Sequence, residues 1–151
     1  MDTPVPNSAG PQPVLLSTVI CEDDARSSRD GSLSLFRLFY VVKPVTLPAK
    51  KDFVVVGLWW LRGAGQRVIS TRVRDVEGGV LDELTSEVQH SIDSIHEQSA
   101  RFVGFEFPTA GTYRVEVLLD GDVVGAYPLF VEPQAAIPTP IGELMSTESV
   151  A

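Results

Sequence analysis

Cysteine, histidine and basic residues are scarce in this sequence, which has one cysteine, two histidines and 12 Lys and Arg among 151 residues. A single cysteine excludes a disulfide within the chain. The 20 Asp and Glu bring the net charge to −8, and a negative surface repels nucleic-acid backbones and anionic lipids. We therefore expect neither nucleic acid nor a membrane as a partner.

Long apolar runs and export signals are also missing. No stretch approaches the about 20 apolar residues that a membrane-spanning helix needs. The first residues, MDTPVPNSAGPQP, have neither the basic start nor the apolar centre of a secretory signal peptide. A cytoplasmic location is the expectation that follows.

Motifs that carry chemistry are missing as well. The sequence has no G-x-S-x-G elbow, no G-x-G-x-x-G and no phosphate loop. His90 and His96 are six residues apart, whereas metal ligands on a helix prefer spacings of three or four. A hydrolase built on these histidines, with Asp93 and Glu97 as acidic neighbours, is therefore the least favoured hypothesis. We expect no enzyme, no catalytic residue, no cofactor and no metal site.

Carboxylates crowd the segment 22–31, EDDARSSRDG. They belong to Glu22, Asp23, Asp24 and Asp30. Their spacing matches no defined calcium-binding loop, and the two arginines of the segment would neutralise them, so we predict a solvated loop. Cys21 precedes this segment and is interpreted as a buried strand residue, because negative neighbours disfavour a reactive thiolate.

The stretch from Arg101 to Val131 gives the clearest signal of the fold. Apolar and polar residues alternate along it, and the apolar set comprises Val103, Phe105, Phe107, Tyr113, Val115, Val117 and Leu119. A period of two predicts strands with one buried face. Asp120-Gly121 favours a two-residue hairpin turn with positive φ at both residues. The step Gly111-Thr112-Tyr113 resembles the tyrosine corner of Greek-key sandwiches, in which a Tyr hydroxyl bonds back to the backbone.

Further strands are predicted ahead of this stretch. They cover residues 14–21, 33–42, 53–61 and 66–76. The segment 81–95 is ambiguous, because Leu81, Leu84 and Val88 have helical spacing while residues 82–90 also fit an amphipathic strand. We favour a strand over 82–90, followed by a loop through Gln98, over a short helix.

About eight short strands separated by turns predict an all-β fold, an immunoglobulin-like Greek-key antiparallel β-sandwich. Residues 1–12 and 133–151 are rich in proline and small residues, and we predict them to be mobile tails. One domain, residues 13–132, lies between them.

Two parts of the chain resemble a family of small uncharacterised bacterial β-sandwich proteins. They are the opening, LLSTVICEDDARSSRDGSLSLFRLFYVV, and the ending, FEFPTAGTYRVEVLLDGDVV. The shared features are a strand ending in Cys-Glu-Asp, a polar loop with Gly, a strand of Leu and aromatics, and the later pattern F-x-F-(x)3-G-x-Y-(x)6-D-G. The resemblance covers residues 14–132 and implies the fold but no established activity, so no catalytic residue is carried over.

The strand FVVVGLWWL, residues 53–61, is apolar on both faces, although only one face of a two-layer sandwich reaches the core. We predict the core face to be the row without glycine, namely Val54, Val56, Leu58 and Trp60. The outer face, which we predict to contact a partner, then consists of Phe53, Val55, Trp59 and Leu61. The alternative is that another segment of the chain, such as 81–95 or a tail, covers this face.

These observations predict a non-enzymatic β-sandwich that acts as an interaction or structural module through its apolar outer face. Its partner would be another protein or a second copy of itself, as in a homodimer. The alternative is a small-ligand or carbohydrate-binding β-sandwich, in which Trp59 with Tyr40 or Tyr127 would stack on a sugar ring.

Overall fold

The computed structural model of the protein describes residues 11–134. The predicted tails lie outside this range except for residues 11–12 and 133–134, which have no regular secondary structure. The described residues form nine strands and no helix, and so no helix that could cross a membrane. In chain order the strands are β1 (Val14–Arg26), β2 (Leu33–Leu38), β3 (Val41–Val42), β4 (Ala49–Leu61), β5 (Gly65–Arg74), β6 (Val80–His90), β7 (Ser94–Phe107), β8 (Gly111–Leu119) and β9 (Asp122–Val131).

The strands form two sheets that pack face to face. The first sheet has the order β2-β1-β4-β7, and the second has the order β3-β9-β8-β5-β6. Neighbouring strands are antiparallel except for the short pair β3 and β9, which is parallel. The chain passes repeatedly between the sheets, so that β8 lies between β5 and β9 as in Greek-key sandwiches. The predicted all-β sandwich is confirmed.

Aromatic side chains join the two layers. Phe53 of β4 stacks on Phe102 of β7 with ring centroids 5.0 Å apart, and Phe107 meets Tyr113 of β8 edge to face at 5.2 Å. Tyr113 belongs to the second sheet, so this contact crosses the interior. Burying such large rings contributes to holding the sheets together.

Two local predictions in the 101–131 stretch are confirmed. The Tyr113 hydroxyl donates to the carbonyl of Thr109 at 2.6 Å and accepts the amide of the same residue at 3.1 Å, which is a tyrosine corner. The β8–β9 turn has φ values of +50° at Asp120 and +91° at Gly121, as a two-residue hairpin requires.

The alternation predicted for β7 breaks at Gly104. This residue has φ of +61°, and the pairing of β7 with β4 shifts register between Lys51 and Phe53. Phe102 is therefore buried in place of Val103, which is 74% exposed. The prediction that Val103 shares the buried face was wrong, because a bulge turns its side chain outwards.

The strand predicted at 33–42 is divided between the two sheets. Its first part is β2, which pairs with β1, and its last residues form β3, which pairs with β9. Arg37 has φ of +59°, and the amide of Phe39 donates to the carbonyl of Ile20, so the chain leaves the first sheet here. The described strands therefore number nine instead of about eight.

Several other boundaries differ from the prediction, and β4, for example, begins at Ala49 and not at Phe53. β1 continues to Arg26 through the acidic residues that were predicted to lie in a loop. The strand favoured over 82–90 is confirmed as β6, but the loop predicted to continue through Gln98 is wrong, because β7 begins at Ser94.

Candidate functional site

The four residues of β4 that were predicted to contact a partner point into the core. They are Phe53, Val55, Trp59 and Leu61, and none is more than 2% exposed. The two-residue period was right, but the choice of face was wrong. Gly57 belongs to the inner row, where a Cβ would lie 3.1 Å from Nε1 of Trp59. The glycine makes room for the indole inside the sandwich, so these side chains present no outer surface.

The opposite face of β4 is partly covered by the chain itself. Val54 and Val56 are buried together with Cys21 of β1. Leu33 and Leu35 of β2 pack against this cluster from outside. Within residues 11–134, the side chains that cover Val54 and Val56 therefore come from the β1–β2 hairpin. The tails, which were also considered as a cover, lie mostly outside the described residues.

Ion pairs fasten the β1–β2 hairpin to β7. Arg101 of β7 bonds to Asp23 at 2.9 Å and also to Asp24, while Arg26 pairs with Glu97 of β7 at 2.8 Å. The hydrogen bond from Arg101 holds the pKa of Asp23 below its ordinary value. Glu22, Asp23 and Asp24 lie in a strand and pair with cations, so the predicted solvated loop is wrong for them. Asp30 lies in the exposed turn between β1 and β2, as predicted.

Cys21 belongs to β1 of this hairpin, and its side chain is fully buried in a cluster with Val54 and Val56 of β4. Burial raises the pKa of its thiol, and the charge of Asp24 adds to the rise. The interpretation of Cys21 as a buried strand residue is therefore confirmed.

We expect the native protein to react very slowly with Ellman's reagent, because the thiol must first be uncovered and then lose its proton. The absorbance of the released thiolate measures the rate, and the protein unfolded in urea provides the reference rate. Native Cys21 reacting as fast as the unfolded protein would contradict the placement of the hairpin.

An apolar patch remains exposed at the other end of the first sheet. We define it as Val14, Leu16, Trp60 and Ile95. Val14 pairs with Trp60, and Trp60 pairs with Ile95, so these three side chains form one row across β1, β4 and β7. Their exposures are 37%, 38% and 59%, and the guanidinium of Arg62 lies 4.8 Å from the Trp60 ring centroid. This row is the outer surface that was wrongly assigned to Trp59.

The two histidines are separately engaged by hydrogen bonds. Nδ1 of His90 donates to the carbonyl of Gly63 at 2.6 Å, and Nε2 of His96 donates to Oε1 of Gln98 at 2.7 Å. The amide of Gln98 in turn donates to the hydroxyl of Ser86 on β6. Residues 11–134 contain no group of three metal-ligating side chains. The histidines therefore act within the fold, and the hydrolase hypothesis gains no support from their geometry.

Tyr40 and Tyr127 do come together, without Trp59. They line a groove of about 390 Å³ between the edges of β1 and β9, together with Thr18, Val19, Ile20, Leu38, Phe39, Pro128 and Phe130. The lining is mainly apolar. The sugar-binding platform that was predicted to include Trp59 is not formed, because that ring is in the core.

A charged cluster occupies the outer face of the second sheet, and sequence reasoning did not single it out. Glu116 of β8 accepts hydrogen bonds from Nε of Arg72 at 2.5 Å and Nε of Arg74 at 2.9 Å, both through Oε1. Nε of Arg114 lies 3.4 Å from its Oε2. We call these four residues the arginine cluster. Burial by itself raises the pKa of Glu116, but the hydrogen bonds and charges of Arg72 and Arg74 outweigh it, so the pKa lies below its ordinary value.

Sequence signals for both surfaces existed but were incomplete. The alternation of Arg72 and Arg74 in β5, and of Arg114 and Glu116 in β8, places each pair on one outer face. Only the register of β5 with β8 shows that the two pairs meet. The apolar patch likewise depends on the register between three strands.

Comparisons with known proteins identify a family. No curated protein matches the chain. Among solved structures, a similar one is "Crystal Structure of beta-glucosidase from Listeria innocua in complex with gluconolactone", with 12% identity and a TM-score of 0.49. That match covers 79% of this chain and 17% of that chain, and it supports no conclusion about function. The model of DUF6941, a family of unknown function, matches residues 16–132. The resemblance to an uncharacterised family is thus confirmed, and the chain belongs to the family of unknown function DUF6941.

Proposed function

We propose that this protein is a non-enzymatic, immunoglobulin-like interaction module that associates with a second copy of itself through the apolar patch. The observation that carries the proposal is the row of Val14, Trp60 and Ile95, which are paired across three neighbouring strands and exposed. Adjoining exposed apolar side chains of this kind typically mark a site of interaction.

A second copy suits this surface. In a two-fold contact the same patch is used on both subunits, so apolar side chains meet apolar side chains. Trp60 lies in the middle of the row, where a tryptophan is a typical interface anchor. The patch supplies only the centre of the about 800 Å² that each partner buries in a stable dimer. We therefore expect association to be weak and reversible.

The net charge gives this association a distinctive salt dependence. Two copies that each carry a charge of −8 repel one another. Salt screens this repulsion and leaves apolar contacts intact. Dimerisation through the apolar patch should therefore become stronger as the concentration of sodium chloride rises.

Trp60→Ser should weaken the dimer, as measured by sedimentation velocity over a range of protein concentrations in low and high salt. Each copy loses about 1 kcal/mol of apolar burial, and the change occurs twice in a two-fold interface, so the Kd should rise about 30-fold. Val123→Ser is the matched control, because Val123 is 45% exposed but belongs to the second sheet.

Three results of this experiment would contradict the proposal. The wild-type chain could sediment as a monomer at every concentration. The dimer could weaken with added salt, which indicates ionic contacts. Trp60→Ser and Val123→Ser could also have equal effects, which would place the contact elsewhere.

The groove of Tyr40 and Tyr127 supports a second candidate function, the binding of a small ligand. Its lining favours an apolar ligand, because few polar groups line the groove to replace the hydrogen bonds that the hydroxyls of a sugar make with water. A carbohydrate-binding function has less support, since Trp59 does not contribute to the groove.

A further inference from the structure

The arginine cluster concentrates positive charge on a protein that is otherwise acidic. Three guanidinium groups surround one carboxylate, so two positive charges within the cluster are not neutralised by Glu116. The whole chain has 12 Lys and Arg against 20 Asp and Glu. Arg74 and Arg114 also lie directly opposite each other on neighbouring strands. Like charges in that position repel, so the arrangement lowers stability unless something compensates for it.

The nearby acidic residues supply only part of the missing compensation. Glu83 lies opposite Arg72 on β6 but is exposed and forms no ion pair with it in the described part of the chain. Oδ1 of Asp75 accepts the amides of Glu77 and Gly79 in the β5–β6 turn. That carboxylate holds the turn but keeps its negative charge, and it lines the same groove as Arg74 and Arg114. Three arginines therefore face two carboxylates, Glu116 and Asp75, and one positive charge remains in excess.

The guanidinium groups keep donors for a further partner. Arg72, Arg74 and Arg114 all face Glu116 with Nε. Nη1 of Arg74 donates to the carbonyl of Gly78 at 2.7 Å, which fixes the position of this side chain. Among residues 11–134, the Nη groups of Arg72 and Arg114 have no hydrogen-bond partner. Arginine presents these groups in a planar fork that matches the oxygens of a carboxylate or phosphate.

A groove gives a ligand access to two of these arginines. It has a volume of about 400 Å³ and runs between the β5–β6 turn and the beginning of β8. Arg74 and Arg114 line it, and so does Thr112, which is two residues before Arg114 on the same face of β8. Pro128 and Ala126 of β9 form an apolar wall.

We propose that this groove binds a small molecule through an oxyanion, either a phosphate or a carboxylate group. Arg74 and Arg114 bind the anion, and Arg72 adds its charge. Glu116 is a positioning residue, because its carboxylate holds Nε of Arg72 and Arg74 and leaves Nη2 of Arg74 and the Nη groups of Arg72 for the ligand. The net charge of −8 disfavours a nucleic acid or an anionic membrane as the source of the phosphate. This site is on the second sheet and does not depend on the proposed dimer.

The test is a titration of the full chain with inorganic phosphate, followed by the arginine Nε–Hε NMR signals. Chloride replaces phosphate in the reference series at equal ionic strength, and citrate replaces it in a third series. We expect saturable shifts of the Arg74 and Arg114 signals, with no shift of Arg101 on the first sheet. Saturation by phosphate alone assigns a phosphate ligand, and saturation by citrate alone assigns a carboxylate ligand.

Arg114→Gln should weaken binding of the anion at least about tenfold, because it removes one charged donor. Arg114 is suited to this test because its side chain is 60% exposed and has the longest contact with Glu116, so its loss should leave the fold intact. The amide spectrum checks the fold, and Arg101→Gln is the control that should bind like wild type. The proposal is overturned if neither anion gives saturable shifts, if Arg101 shifts equally, or if Arg114→Gln binds as tightly as wild type.

Discussion

Trp59→Ala should lower the free energy of unfolding by about 4 kcal/mol, which would be one of the largest effects of a single substitution in this protein. The indole is 1% exposed and packs with Leu61, Ile69 and Val117 between the sheets. Its removal leaves a cavity that the strands cannot close without shifting both layers. Urea denaturation followed by circular dichroism measures the change.

The neighbouring residue provides the control for this prediction. Trp60→Ala removes the same side chain from the same strand, but Trp60 is 38% exposed and contacts Arg62 on the outer face. We expect the free energy of unfolding to fall by about 1 kcal/mol, since substitutions at the surface usually have small effects on stability. A loss at Trp60 equal to or larger than that at Trp59 would show that the two faces of β4 are reversed.

The sequence of β4 alone could not show which of its two faces is buried in the core. A period of two separates the residues 53–61 into two rows, but both rows are apolar, so hydrophobicity does not distinguish them. Gly57 was taken as a sign of the outer row, whereas it lies inside because Trp59 folds over it. Where the side chains of a strand do differ, as in β8, the sequence was sufficient, and Tyr113, Val115 and Val117 are all buried.

The acidic segment after Cys21 shows a second limit of prediction from sequence. A run of charged residues usually indicates a loop, yet β1 continues through it to Arg26. Its charges are matched by Arg101, which is 77 residues from Asp24, and by Lys51, which pairs with Glu22 at 3.0 Å. Such partners become visible only when the strands are arranged in space. Local turn chemistry was more informative, as the hairpin at Asp120-Gly121 shows.

Both proposed binding surfaces depend on strand register. The apolar patch joins residues from β1, β4 and β7, and the arginine cluster joins residues from β5 and β8. A shift of either register by one residue would reverse the faces and separate the members. Sequence patterns placed most of these residues in strands, but the pattern of one strand does not show which strand pairs with it or in which register.

Glu116→Gln should lower the free energy of unfolding by about 3 kcal/mol at neutral pH, near the low end for breaking a buried ion pair. The carboxylate is buried, and its loss leaves the guanidinium groups of Arg72, Arg74 and Arg114 repelling one another. The effect stays at the low end because Arg72 and Arg74 are 19% and 27% exposed and can still be partly hydrated.

The pH dependence of stability can show that the charge of Glu116 causes its stabilising effect. The pKa of Glu116 is lower in the folded protein than its ordinary value of 4.5, so its stabilisation is complete above the unfolded pKa. It is lost as the pH falls through the folded pKa. Urea denaturation should therefore show the gap between wild type and Glu116→Gln closing in acid. Glu106→Gln, an exposed glutamate outside the cluster, should change stability by no more than about 0.5 kcal/mol. If the difference in unfolding free energy between wild type and Glu116→Gln stays constant from neutral to acidic pH, the packing of Glu116 and not its charge stabilises the fold. The negative charge would then not be what stabilises the three arginines.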